Sequence, residues 1–286
     1  MRASDLFRLL LLAAIWGGSF VFLRVLSPPL GPIITADLRV LIAWVALSVY
    51  LRSLGLDVEW RRFWKQYLFV GALNAALPFF LFAFAALHIP ASYSAILNAT
   101  SPLFSALFSL LWLGEKITAN KISGFVLGII GVALVTRIGL AGAGAMADWA
   151  MIACLLAAVC YGCASVYTKK FMSAAKPTAI AGASQLMAGL LLLPLTPLAP
   201  PPGPVTALVA INMILFALLC SGVAFLLYFK LIADIGPTKS MTVTFLMPAF
   251  TMFWAAIFLG EAVTLSMLLG CALIICGTAL VVMRRS

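Results

Sequence analysis

The chain has 286 residues, of which 65% are hydrophobic and 9% charged, and its mean hydropathy is +1.18. Soluble domains carry about a quarter charged residues, so this composition excludes a water-soluble globule. The net charge of +10 sits in short intervals between apolar runs, where it orients a membrane protein and faces anionic lipid rather than nucleic acid.

Ten apolar stretches are close to the ~20 residues that cross a hydrocarbon layer as helix. In chain order they are expected at 6–26, 32–51, 66–86, 92–113, 118–137, 149–171, 178–198, 207–228, 239–259 and 264–283. The fold class is therefore all-α, a polytopic membrane protein of ten helices. The intervals at 52–65 and 197–206 are too short for a soluble domain.

The first span resembles a signal peptide, with Arg2 and Arg8 before an apolar run from Leu9. Its segment Ala14-Ile15-Trp16-Gly17-Gly18 matches Val159-Cys160-Tyr161-Gly162-Cys163 inside the chain, so it is expected to stay in place. With ten spans, the Lys and Arg residues divide unevenly between the two faces. Only Arg24, Arg39 and Arg137 fall opposite the termini, which predicts cytoplasmic termini and an inner-membrane location. His88, in a short outer loop, is expected as a surface residue. The six cysteines, including Cys160 and Cys163, read as small packing residues within spans, with no metal or cofactor set.

The chain repeats itself at an offset of 146. Asn98, Pro102, Gly114-Glu115, Gly124 and Gly131 return as Thr244, Pro248, Gly260-Glu261, Gly270 and Gly277. Each copy holds five spans, an odd number, so the second is expected inverted: 1–139, a connecting loop at 140–148, then 149–286. Inverted repeats of this kind enclose a central site in secondary transporters. The glycines of the fifth and tenth spans suit close helix packing.

A polar residue lies four before a proline three times: Asn74 and Pro78, Asn98 and Pro102, Thr244 and Pro248. Proline removes the bond to the carbonyl four residues back, so these three prolines are expected as bending points with carbonyls open to a ligand. Ser94, Asn98, Ser101, Ser105 and Ser109 share one face of the fourth span; Ser240, Thr244, Met247 and Thr251 echo them in the ninth. Such stripes either glue helices together or line a wet cavity. Trp16, Tyr161 and Tyr228 carry polar atoms that need partners when buried. No Asp or Glu lies in the middle of a span; Asp37 and Arg39 sit near the outer start of the second. Intramembrane acids are the usual proton carriers and cation partners, so their lack favours a neutral or zwitterionic cargo.

Ala14-Ile15-Trp16-Gly17-Gly18-Ser19-Phe20, the run Leu111-Trp112-Leu113-Gly114-Glu115-Lys116 and its second copy Phe258-Leu259-Gly260-Glu261 resemble the drug/metabolite transporter superfamily, EamA type. The resemblance covers the whole chain, and within the family the chain looks like the bacterial exporters of aromatic amino acids. It implies a cavity built by helices 3, 4, 8 and 9 with help from 1 and 6. The expectation is then a non-enzymatic exporter of aromatic or other large neutral amino acids, working by alternating access as a monomer in lipid. Asn74, Asn98, Ser101, Tyr228 and Thr244 would hold the polar end, Trp16, Phe79, Tyr161 and Trp254 the apolar walls. A broader drug or metabolite exporter, with or without proton coupling, is the nearest alternative; a membrane-embedded enzyme and a passive channel are the others.

Overall fold

The computed structural model describes residues 2–138, 144–235, 240 and 242–282. Residues 139–143 of the expected seam lie outside them, as do Lys239, Arg284 and Arg285. Among the described residues, ten helices account for the ten apolar spans: α1 Ala3–Leu30, α2 Pro32–Ser53, α3 Trp60–His88, α4 Ala91–Leu113, α5 Ala119–Thr136, α6 Ala145–Phe171, α7 Pro177–Leu198, α8 Ala207–Tyr228, α9 Val243–Leu259 and α10 Leu265–Val282. No strand occurs among the described residues. Helix ends run past the apolar windows where they turn amphipathic, as at Trp60-Arg61-Arg62 of α3, or where a turn residue comes late, as at Gly31 (φ +76°) after α1.

Contacts at the helix ends show that the helices alternate in direction. At the face carrying the N-terminus, the basic face, Arg8 of α1 pairs with Asp234 beyond Tyr228 at 2.7 Å, and Lys170 of α6 donates to the Trp112 carbonyl of α4 at 3.0 Å. At the opposite face the Gly203 N–H bonds the Pro29 carbonyl at 3.1 Å, and Glu261 reaches the start of α4.

The repeat explains two local devices. Helices α4 and α9 both end at a left-handed glycine, Gly114 (φ +65°) and Gly260 (φ +66°), a conformation that costs glycine least. The next residue then closes the helix: Glu115 N–H bonds Ser109 O at 3.3 Å and Glu261 N–H bonds Ala255 O at 3.2 Å. That closure is the physical content of the Leu-Gly-Glu motif. The second device is the α5–α10 contact, where Gly124 lies on the Gly277 backbone and Gly131 on that of Gly270. Exchanging the halves maps one pair onto the other, as a pseudo-two-fold axis requires.

The axis also relates two widened turns. A π-turn at Ala72–Ala76 interrupts α3, and another at Leu218–Val223 interrupts α8, 146 residues later. Pro78 follows the first, but Ala224 takes the matching place after the second. The widening therefore belongs to the repeat and not to proline alone. π-turns shift the register of carbonyls and gather at functional sites.

Candidate functional site

The two halves enclose a cavity of about 270 Å³ at mid-depth. Eight of the nine sequence-predicted binding residues line it: Trp16, Asn74, Phe79, Asn98, Ser101, Tyr161, Tyr228 and Thr244, together with the hinge candidate Pro102. Trp254 is a correction. Its indole N–H donates to the Ala14 carbonyl at 3.1 Å, and its ring packs on Phe253 and Phe258, so it staples α9 to α1 outside the cavity. Pro78 and Pro248 are buried within α3 and α9 and do not line the cavity either.

The expected open carbonyl at Asn98 is a second correction. Helix α4 breaks at Ala99 and Thr100 into Ala91–Asn98 and Ser101–Leu113, and Ser101 Oγ donates to the Asn98 carbonyl at 2.6 Å. A neighbouring hydroxyl thus satisfies the group that Pro102 leaves, and the same hydroxyl lies 3.3 Å from Asn98 Oδ1. The amide and hydroxyl face the cavity as a unit.

The serine and threonine stripes do both jobs foreseen for them, divided by depth. Ser94 accepts from Cys154 Sγ at the α4–α6 seam, and Thr251 Oγ1 donates to the Gly17 carbonyl at 2.9 Å across the α1–α9 seam. On the basic-face side of those glue points, Asn98, Ser101, Ser105, Thr244 and Met247 line the cavity. Ser105 and Ser165 Oγ atoms bond each other at 2.7 Å on the basic-face side, where Ser165 is exposed. At the other end Phe20, Leu23 and Phe82 are 2–4% exposed. The cavity therefore opens toward the basic face and is closed beyond its middle.

The closure has a polar lock. Glu261 accepts from the Ala91 N–H at 2.8 Å, the Ser92 N–H at 3.3 Å and the Ser92 hydroxyl at 3.1 Å. A carboxylate on the first turn of α4 is favoured by both the bonds and the helix dipole. Glu115, its repeat partner, pairs with Lys121 at 3.0 Å and Lys169 at 3.7 Å at the basic face.

Several lining residues escaped the sequence reading. The π-turn of α8 supplies two of the contacts: the Cys220 carbonyl accepts from Trp16 Nε1 at 3.1 Å, and Ser221 Oγ accepts from Arg39 Nε at 3.0 Å. Arg39 itself is buried at 6% exposure and lines the cavity, its guanidinium against the Phe79 ring. Asp37 and Arg39, expected near the outer start of the second span, are both inside the packed protein: Asp37 is 2% exposed, with Oδ1 lacking a hydrogen-bond partner. Distance from a span end was too coarse a measure, since α2 begins at Pro32 and Arg39 is two turns in. The signal for other misses was the offset itself. Adding 146 to Asn74, Phe79 and Phe82 gives Cys220, Phe225 and Tyr228, all in the lining.

Ten alternating apolar helices around a two-fold central cavity define a membrane transporter of the inverted-repeat kind. The chain belongs to the EamA-like transporter family, whose model matches twice, at residues 5–137 and 148–283. It is 27% identical to the "Uncharacterized transporter YvbV" of Bacillus subtilis (strain 168), over 94% of this chain and 88% of that one. It is 28% identical to a "Probable terminal-alkyne amino-acid exporter" of Streptantibioticus cattleyicolor, over 96% and 91%. Protein PecM of Dickeya dadantii is 25% identical over 90% and 84%. A solved crystal structure shares the fold, with a TM-score of 0.69 over 98% of this chain and 96% of its own, at 17% identity.

Proposed function

We propose that this membrane transporter exports aromatic or other large neutral amino acids by alternating access. The observation that carries the reading is the cavity: aromatic walls, a few amide and hydroxyl groups, and an opening on one face only. Such a lining suits a small amphipathic solute, with rings for its apolar body and Asn74, Asn98, Ser101, Tyr228 and Thr244 for its polar end. Pro102, Pro78 and Pro248 stand where α4, α3 and α9 would bend. The excess of Lys and Arg on the open face supports an inner-membrane protein with cytoplasmic termini, loading from the cytosol. Both halves lie in one chain, so a monomer suffices. The relative described as an amino-acid exporter agrees with this substrate class.

The test is counterflow in proteoliposomes holding only this protein, preloaded with unlabelled phenylalanine, tryptophan, threonine or a cationic dye. Accumulation of labelled aromatic amino acid without an imposed proton gradient is expected. Absence of counterflow for every amino acid, with dye efflux on adding a pH gradient, would refute it. Asp37 favours that second reading, a proton-coupled exporter of broader range, because a buried carboxyl oxygen without a donor is the kind of group proton carriers use. Loss of gradient-driven flux in Asp37→Asn, with counterflow intact, would establish the coupling.

A further inference from the structure

We infer that Arg39 is the anchor for a carboxylate on the transported solute, so that the site selects acids and zwitterions against amines and neutral amides. The inference rests on the reading that the cavity holds cargo, and it names the chemical group that cargo must carry.

Among the described residues that line the cavity, Arg39 is the one that carries a charge. A guanidinium keeps its charge under any physiological condition, and taking it out of water is expensive unless partners replace the water. The partners present are few. Nε donates to Ser221 Oγ at 3.0 Å, and the flat group lies 3.7 Å from the Phe79 ring centre and 4.5 Å from that of Phe216. Two aromatic rings and one hydroxyl hold the group in place, yet none of them carries a negative charge.

No acid of this protein neutralises it. The chain has eight, all described. Asp5 and Asp234 pair with Arg8, Glu59 with Arg62, Glu115 with Lys121, and Glu261 caps α4. Asp57 accepts from the Glu59 N–H, and Asp148 lies in the first turn of α6, at the membrane face away from the cavity mouth. Asp37 is on the same helix two residues away, a spacing that turns side chains to different faces. None forms an ion pair with Arg39. The counter-charge must come from whatever occupies the cavity.

The geometry selects the form of that charge. Ring stacking covers the faces of a guanidinium and leaves its edge, where parallel N–H groups match the two oxygens of a carboxylate. A phosphate dianion would ordinarily call on more than one cation, and this lining has one. The position matters as well: Arg39 lies in the part of α2 nearer the opposite face, with Phe79 and Phe82 beside the cavity, so a solute from the basic face enters carboxylate first. Its repeat-related position, 185, is Gln185, which leaves the cavity with one charged pole. That pole repels organic cations.

Two probes of equal shape make the test: 3-phenylpropanoate and 3-phenylpropanamide, applied to the purified full-length protein in detergent, with thermal stabilisation read against concentration. The acid is expected to stabilise the protein and the amide to need at least ~30-fold more to match it, as loss of one member of a buried charged pair implies. Arg39→Gln should abolish the difference between the probes and Arg39→Lys should restore part of it. Equal binding of acid and amide to the wild type overturns the inference whether or not the variants fold, and so does an acid preference that survives Arg39→Gln. Better binding of inorganic phosphate than of the acid overturns it too. Counterflow is the separate arm: acid-selective binding with no phenylalanine counterflow would remove the amino-acid cargo and keep the carboxylate anchor.

Discussion

Replacing Gly162 by alanine should damage this protein more than replacing Gly18, although both changes add one methyl group to an apolar helix. A Cβ at Gly162 would stand 2.6 Å from the Ser105 backbone nitrogen and 2.7 Å from the Phe104 carbonyl carbon. Comfortable separation of such atoms is about 3.5 Å, so α6 and α4 would have to part by roughly 1 Å. The obstacle is backbone, which cannot rotate away. At Gly17, the repeat-related glycine, the Cβ would lie 2.8 Å from Phe250 Cβ and 3.0 Å from the Met247 carbonyl, so α1 and α9 would part by slightly less. At Gly18 the nearest atom is Trp254 Cδ1 at 3.8 Å, ordinary contact, and nothing need move. Overpacking a tight seam costs about 1–3 kcal/mol. Membrane proteins seldom unfold reversibly, so the measure is the temperature of half-loss of the monodisperse peak after heating in detergent. Gly162→Ala and Gly17→Ala should fall several degrees below wild type, with Gly162→Ala the lower, and Gly18→Ala should match it. The displaced seam carries Ser105 and its bond to Ser165, so counterflow should drop in Gly162→Ala as well. If Gly18→Ala is as harmful as Gly17→Ala, or if both close-contact variants are as stable as wild type, the account of these seams is wrong.

The lock at Glu261 gives a second prediction: Glu261→Gln weakens three bonds to the start of α4, so the opposite face should open more often. Ile89→Cys, at a position 0% exposed beside that lock, should then react faster with a membrane-impermeant maleimide; an unchanged rate would deny Glu261 its closing role. Thr251→Val removes a buried donor to the Gly17 and Met247 carbonyls and should cost about 1 kcal/mol of stability with counterflow kept, whereas loss of transport at full stability would place Thr251 in the site. Asn98→Ala and Thr244→Ala should each reduce counterflow in protein that still inserts and elutes normally. Wild-type transport in both would remove the polar end of the site as drawn.

The fold was readable because a membrane allows few solutions: long apolar runs must be helices, and an odd repeat must invert. The helix count, the alternation and the Leu-Gly-Glu caps all follow from that logic. The site was readable in part, since Asn98 and Thr244 announced themselves by polarity in an apolar run. Trp254 misled because an indole on the right helix turned toward α1, and a single helix gives no sign of which neighbour its faces meet. Arg39 was passed over because charge near a span end reads as a boundary marker, and only packing against Phe79 and Phe216 shows it to be interior. The π-turn of α8 had no sequence marker of its own, because Ala224 stands where α3 has Pro78.

The lining is largely built of repeat-related pairs: Asn74 with Cys220, Phe79 with Phe225, Phe82 with Tyr228, Asn98 with Thr244, Ser101 with Met247, and, at an offset of 145, Trp16 with Tyr161. Phe79 and Phe225 keep their chemistry, and the other five pairs change it. The shared devices, two π-turns, two glycine seams and two capped helix ends, are what the proposed alternating access needs, because each half would have to adopt the other's shape. On the proposed reading, the changed side chains are what a solute needs, because a two-fold symmetric lining could not tell one end of an amino acid from the other. The amides of Asn74 and Asn98 face a thiol and a hydroxyl across the axis, so polarity is already biased before charge is counted. Arg39 adds a charge to that bias, and its repeat-related residue Gln185 is uncharged and outside the lining. In the proposed transporter, symmetry in the backbone thus serves the movement, and its breaking in the side chains serves recognition.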